Sequence, residues 1–329
     1  MSPTDGGAPL VSAVIVAAGR GDVLEESVRS VLEQDHRPLE LVVFGNGTQP
    51  ESDRFPSVPG VSLRVGGAST NLGVAGGRNA ALSLARGDAV LFLDDDATLA
   101  PGAISRAVEL LEGAPEVGAV ALRVIDPATG APALWYHPYD PEVWSSRSFQ
   151  ASSVIGCGNL VRRRCLDELE GFWPGYFREL EEIDLSWRLI DQGWAIRYEP
   201  GATVFHPERT LRHLRYSVAS NLLMLWRLLP PALAARQSAV KLPLFAARAM
   251  RHGELRAFAT GLRDAALGLR GALRDRPTLS PATVRYLRRV HAPQGLGKRL
   301  QWSLRPLAPP DPQRGQPVAA GRGGSEGCV

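Results

Sequence analysis

Ala89-Val90-Leu91-Phe92-Leu93-Asp94-Asp95-Asp96 is an apolar run that stops abruptly in three carboxylates, with Gly87 just ahead of it. A run that is apolar without alternation reads as a buried parallel strand, because a strand covered on both faces has no polar side. The acids then fall at its C-terminal end, the edge of an open α/β sheet where ligands bind. Adjacent carboxylates repel one another unless protons or a cation hold them together. Hard oxygen ligands suit Mg2+ or Mn2+, ions that commonly share one or two carboxylates with a substrate phosphate. The same three acids would also fit a solvated turn before a helix, with Asp96 or Thr98 as its N-cap, so the flanking segments have to decide.

Upstream, Val11–Ala18 is a strand-like run broken by Gly19-Arg20-Gly21-Asp22. Val23, Leu24, Ser27, Val28, Val31 and Leu32 then recur at helical spacing, with Asp22 placed to cap the helix. Leu39–Phe44 reads as a second strand closed by Gly45-Asn46-Gly47-Thr48. Strand, helix and strand within so few residues open a parallel α/β sheet. A short strand at Val61–Val65 follows. Asn71-Leu72-Gly73-Val74-Ala75-Gly76-Gly77-Arg78-Asn79 then leads into an Ala/Leu helix. Glycines ahead of a helix allow close backbone approach to a phosphate, and the helix N-terminus favours negative charge. Arg78 could add a bidentate contact. Glycine-rich turns before helices also arise for conformational reasons alone.

Downstream, Pro101 opens a helix through Leu111, and Val117–Val124 is a further strand. Residues 126–150 are rich in Pro and aromatics, with Trp135, Tyr136, His137, Tyr139 and Trp144 available to stack on a sugar or to pack on the domain. Ser153–Val161 is strand-like. The pattern predicts a helix over Glu179–Ile190 with Glu179, Glu181, Glu182 and Asp184 at its start. Part of that acidity suits the helix dipole. Ile183, Trp187 and Ile190 mark a buried face beside Glu182, and a carboxylate so placed can serve as a base. Trp194–Tyr198 and Ala202–Phe205 read as two short strands, the second ending at His206.

Composition bounds the class. The 329 residues are 44% hydrophobic, ample for a globular core. The three cysteines Cys157, Cys165 and Cys328 are odd in number and lack metal-ligand spacing, so a disulfide framework is not expected and a reducing compartment is favoured. Residues 1–10 lack the basic and apolar parts of a signal peptide and are expected to be flexible. The expected location is cytoplasmic. The net charge of +3 conceals a division: residues 1–206 carry 16 Arg and 28 acids, whereas residues 207–305 carry 19 basic residues and 4 acids. That asymmetry suits mutual docking, an arginine-rich solvated surface, or peripheral contact with anionic membrane at its inner face. Residues 207–305 show helical patterning without further strands, including a Glu254–Asp275 helix with Arg256, Arg263 and Arg270 every seventh residue. Pro, Gly and polar residues dominate from Leu307, so 306–329 is expected to be a disordered tail.

In this order the segments resemble glycosyltransferase family 2 on the GT-A fold, with a rhamnosyltransferase-like stretch at Arg215-Tyr216 and Asn221. The resemblance rests on the opening strand, Asn46-Gly47-Thr48, the Asn71–Asn79 loop, Leu93–Asp96, Gly171-Phe172, Glu181–Arg188 and His206, and covers residues 11–225. It implies a Rossmann-like three-layer αβα sandwich with a mainly parallel central sheet over residues 11–206 and a helical extension over 207–305. It also implies a nucleotide-diphosphate sugar donor, a UDP- or dTDP-sugar first, with a divalent metal and no nucleic acid. Asp94 and Asp96 match the family's Asp-x-Asp, Asp94 toward the ribose and Asp96 at the metal. His206 matches a position that reaches the metal or diphosphate in some relatives. Glu181-Glu182 matches the family's acidic pair, which makes Glu182 the general base of an inverting transfer to an acceptor hydroxyl, with Glu181 and Asp184 in reserve. By the same match Ala17, Gly19, Arg20, Asn46, Asn71, Gly73, Gly77, Arg78, Asp94 and Asp95 lie on the donor side. The acceptor would be a glycan, a lipid-linked intermediate or a natural product.

Two positions depart from the family pattern. Gly45 stands where an Asp is usual, and Ala17-Ala18-Gly19-Arg20 replaces the usual Pro-Thr-Tyr-Asn. The second departure resembles the glycine-rich start of sugar-1-phosphate nucleotidyltransferases. Residues 22–36, however, contain neither the Pro nor the Lys of that pattern. A degenerate transferase domain acting as a binding module is the non-enzymatic alternative.

Overall fold

A computed structural model describes residues 7–19, 21–133, 141–207 and 213–291. Arg20, the aromatic group at 135–139 and the 306–329 tail named above lie outside the described residues. The first half runs β1 (Val11–Ala17), α1 (Gly21–Leu32), β2 (Leu39–Asn46), β3 (Val61–Ala68), α2 (Gly73–Leu82), β4 (Ala89–Asp94), β5 (Thr98–Leu99), α3 (Ala103–Gly113) and β6 (Val117–Ile125). It continues through β7 (Pro132–Ala133), α4 (Pro141–Trp144), β8 (Phe149–Gln150), β9 (Gly158–Arg162), α5 (Arg163–Glu168), α6 (Glu181–Asp191) and β10 (Ala195–Phe205). Four helices close the described chain: α7 (Leu214–Leu228), α8 (Pro231–His252), α9 (Leu255–Arg274) and α10 (Pro281–His291).

The main path of the sheet is β3-β2-β1-β4-β9-β6-β10-β5. Strands β3, β2, β1 and β4 are mutually parallel, as are β6 and β10, and β9 runs antiparallel between the two blocks. Side chains alternate across each strand, and the core divides accordingly. Val14, Val90 and Phe92 face α2, α5, α6 and the C-terminal helices. Ile15, Leu91 and Leu93 face α1 and α3. The expected α/β sandwich is thus present, with its strand runs buried on both sides.

Several boundaries differ from the sequence reading. Of the Ser153–Val161 run only Gly158–Val161 enters a strand, β9, which continues to Arg162. Side chains meet the backbone before it, where Val154 N donates to Ser186 Oγ and Ile155 O accepts from Asn159 Nδ2. The two strands expected over 194–205 are one strand, β10, with a register shift between Glu199 and Thr203. Neither Asp96 nor Thr98 caps a helix, because α3 starts at Ala103 behind Gly102, which adopts φ +74°. The acidic helix starts at Glu181. Glu179 and Leu180 precede it with φ of +68° and +70°, conformations that non-glycine residues rarely adopt.

The C-terminal helices are joined to the α6 side of the sandwich. Leu223, Met224 and Leu228 of α7 enter the core cluster on that face. Gly261 lets α9 approach closely, since a Cβ there would stand 2.5 Å from the Arg215 carbonyl oxygen of α7.

Candidate active site

The parity of β4 sets the direction of its first acid. Asp94 follows Val90 and Phe92 at two-residue intervals, so it projects toward α2 and α6. Arg78 waits there, buried, with its guanidinium carbon 5.8 Å from the Phe92 ring centroid and 5.6 Å from that of Phe172. It donates to Asp94 Oδ1 at 3.1 Å, Glu181 Oε1 at 2.9 Å and the Gly156 carbonyl at 2.8 Å. Burial alone would loosen its proton, but Glu181, Asp94 and Glu182 outweigh that and raise its pKa. One cation thus links the end of β4 to the start of α6.

Asp95 has a structural partner. Its Oδ2 accepts from Ala18 N at 3.0 Å, just past the end of β1. Because Val16 lies opposite Asp94 in the register, this bond clips the acidic turn to the neighbouring strand end. His206 reaches the turn through strand pairing. Thr98 and Leu99 of β5 pair antiparallel with Phe205 and Val204, and His206 N donates to Ile125 O at 3.0 Å. His206 Nε2 then lies 3.3 Å from Asp96 Oδ1 and 3.9 Å from Asp94 Oδ2. One ligand atom from each of Asp94, Asp96 and His206 falls within 4.8 Å of the others. Two carboxylates and an imidazole form a donor set suited to Mn2+ or Mg2+.

At α6, Glu181 and Glu182 are both buried, side by side at the start of the helix. Burial raises the pKa of Glu181, and the opposing pull of Arg78 does not cancel it. Glu182 borders Gly156. A Cβ at that glycine would come within 3.3 Å of Arg78 Nη2 and 3.9 Å of Glu182 Cδ. Asp184 is not brought to this cluster. Fully buried on another side of the same first turn, it accepts from Arg188 Nε at 2.6 Å, Tyr176 Oη at 3.0 Å and Arg227 Nε at 3.1 Å. It fastens α6 to α7.

The glycine-rich loop differs from the phosphate cradle anticipated above. Leu72 N donates to Asn46 Oδ1 at 2.7 Å, Gly73 N to Asn71 Oδ1 at 2.8 Å and Val74 N to the Phe177 carbonyl at 2.8 Å. Three donors at the start of α2 are therefore already engaged, and Arg78 points at protein acids. Asn46 also donates to Gly73 O at 2.8 Å, tying the loop to the end of β2. A Cβ at Gly77 would stand 2.9 Å from both Asn46 Nδ2 and Val16 Cγ1, so glycine permits this approach. Ala17 and Gly19, the latter with φ +85°, lie at the end of β1 beside these elements. Sequence reasoning missed Gly156, because its segment read as strand, and it missed Cys157. Burial, with Asp94 acting in the same direction, raises the Cys157 thiol well above its usual pKa.

Strand order, acidic turn and helical cover together define a GT-A-type α/β fold. Similarity to solved structures agrees. A mannosyltransferase from Pyrobaculum calidifontis, solved with GDP-Man and Mn2+, superposes with a TM-score of 0.52 at 19% identity, covering 92% of this chain and 85% of its own. TarS of S. aureus, residues 1–349, gives 0.51 at 14% identity, covering 65% and 64%. Residues 12–170 match the family model "Glycosyl transferase family 2". Over that segment, just under half of its length, the chain is similar to glycosyl transferase family 2. Among curated relatives, the N-acetylglucosaminyl-diphospho-decaprenol L-rhamnosyltransferase of Mycobacterium tuberculosis is 27% identical over 231 residues, 59% of this chain and 74% of that protein. The glucosyl-dolichyl phosphate glucuronosyltransferase of Haloferax volcanii is 36% identical over 110 residues, 32% of this chain. That match spans about a third (34%) of the Haloferax protein's length.

Proposed function

We propose that this protein transfers a sugar from a nucleoside-diphosphate donor to an acceptor hydroxyl in a single inverting displacement. The observation that carries the reading is the continuous contact from Asp94 through Arg78 to Glu181, with Glu182 alongside. It joins a metal-type acid cluster at a strand end to an acid pair at a helix start, the two groups such a displacement needs on opposite sides of the anomeric carbon. Asp94, Asp96 and His206 would hold a divalent ion, Mg2+ or Mn2+, which would supply Lewis-acid neutralisation of the charge on the leaving diphosphate. The acceptor oxygen forms a bond to the anomeric carbon as the bond to the β-phosphate oxygen breaks. The electron pair leaves with the diphosphate, and the hydroxyl proton passes to Glu182.

Base duty falls to Glu182 because its neighbours hold structural cations, Glu181 through Arg78 and Asp184 through Arg188 and Arg227. Arg78 is a positioning residue. It sets Asp94 and Glu181 relative to each other from beneath the site. Relatives and neighbours named for activated-sugar chemistry, among them the structure holding GDP-Man and Mn2+, support a nucleoside-diphosphate sugar donor. UDP- and dTDP-sugars belong beside GDP-sugars in the first donor panel. The family segment includes Val16–Gly21, which favours the transferase reading of that stretch over the nucleotidyltransferase one. The test is Glu182→Gln. It is expected to retain donor binding in calorimetry while transfer and slow donor hydrolysis fall by about 10²–10⁴-fold, the contribution of a positioned base. Unchanged turnover in Glu182→Gln together with loss in Glu181→Gln would move the base to Glu181.

A further inference from the structure

Helices α8 and α9 leave an unusual surface. Of the eleven large apolar side chains that the described residues expose, five lie on these two helices: Leu244, Met250, Leu255, Leu267 and Leu273. Leu267 is 71% exposed and Met250 65%, far from the burial that leucine and methionine usually reach. On α9, Gly261, Ala265 and Ala272 are buried. At 3.6 residues per turn, Leu255, Leu267, Leu273, Arg256, Arg263 and Arg270 share the exposed arc. Charge on this face has one sign. Helix α8 contains no acid, and the single acid of α9, Asp264, pairs with Arg215 at 2.5 Å.

We propose that this leucine and arginine face of α8 and α9 docks on an anionic membrane surface, and that the acceptor hydroxyl is presented there on a lipid carrier. The acceptor clause rests on the transfer reading above; the docking clause does not. Arginines interleaved with exposed leucines match a headgroup layer, where the cations meet lipid phosphates and the apolar side chains enter the acyl boundary. No helix among the described residues is long and apolar enough to cross a membrane, so the contact is peripheral. A second copy placed on the same face would set arginine against arginine. The 292–329 segment, with five basic residues and two acids, carries the same sign and is a poor cover.

The face is mechanically joined to the site. Helix α9 packs on α7 through Gly261. Helix α7 in turn holds the segment leading into α6: Ser217 Oγ donates to Glu179 Oε2 at 2.7 Å, Ser220 Oγ to Arg178 O at 2.7 Å, and Arg227 Nε to Asp184 at 3.1 Å. Docking therefore fixes the helix that carries Glu182 relative to the lipid surface.

Co-sedimentation of the full chain with phosphatidylcholine vesicles, with and without phosphatidylglycerol, tests the docking. Binding is expected to require phosphatidylglycerol, weaken with salt, and fall at least about tenfold in R256E/R263E/R270E, where three favourable charges become three repulsive ones. L255S/L267S/L273S should also lose binding. R29E/R54E/R86E, an equal charge change on the main domain, should retain it. Equal binding to neutral vesicles would overturn the proposal, as would equal loss in the main-domain variant. So would a dimer in light scattering that only the α9 variants dissociate. Donor hydrolysis measured without vesicles reports separately on the transfer reading, so the two can fail independently.

Discussion

Glu181 shows how burial and an ion pair compete at a single residue. Its Oε1 holds Arg78 at 2.9 Å, yet burial dominates and its pKa is raised. A carboxyl whose folded pKa is raised contributes stability below the ordinary glutamate range and loses it as pH climbs toward the raised value. Wild-type thermal melts should therefore decline as pH rises through that window, and Glu181→Gln should flatten the decline; parallel curves would contradict the assignment. The acids themselves were legible in the sequence, because strand-end carboxylates and an acidic helix start are local patterns. Their division of labour was not. Arg78 reads as a phosphate ligand when only its glycine-rich neighbours are visible, and the carboxylates that claim it lie 16 and 103 positions away. Gly45 has an equally local cause. A Cβ there would meet Thr48 O at 2.4 Å and Pro50 Cδ at 2.5 Å, so the turn itself excludes the usual Asp.

Helix α6 carries both chemistry and scaffold within its first turn. Its amphipathic spacing made the helix legible, but three acids within four positions look alike in sequence. The fold separates them. Glu181 and Glu182 border the site, whereas Asp184 sits among Tyr176, Arg188 and Arg227. Removing one partner from a buried ion pair leaves an uncompensated charge, so Asp184→Ala should cost about 3–5 kcal/mol of stability in chemical denaturation. Donor affinity measured below the unfolding transition should change little. A stable Asp184→Ala protein that had lost transfer would instead give this acid a direct role. Of the strand expected at Ser153–Val161 only the end from Gly158 forms, and residues 153–157 stay outside the named strands for a related reason. Apolar character there reflects burial beneath the site, and side chains such as Ser186 satisfy a backbone that never joins the ladder.

Over the whole molecule, the sheet was legible because its parallel strands are continuous apolar runs, while the antiparallel insertion of β9 left no periodic mark. The charge division was also visible, and its placement required the fold: the described helices of the basic segment form a layer on the α6 side of an acidic sandwich. His206 belongs to this scale. A lone histidine in sequence, it gains meaning from β10 returning beside β5 and setting its ring 3.3 Å from Asp96. The central claim is that Asp94, Asp96 and His206 form a divalent-metal site for a nucleoside-diphosphate sugar. Calorimetric titration of UDP, dTDP and GDP into wild type and Asp96→Asn, each with Mn2+ and with chelator, tests it most directly. The account predicts that at least one nucleotide binds wild type only with Mn2+ and that Asp96→Asn abolishes this binding; binding of equal strength under chelator and in Asp96→Asn would contradict it.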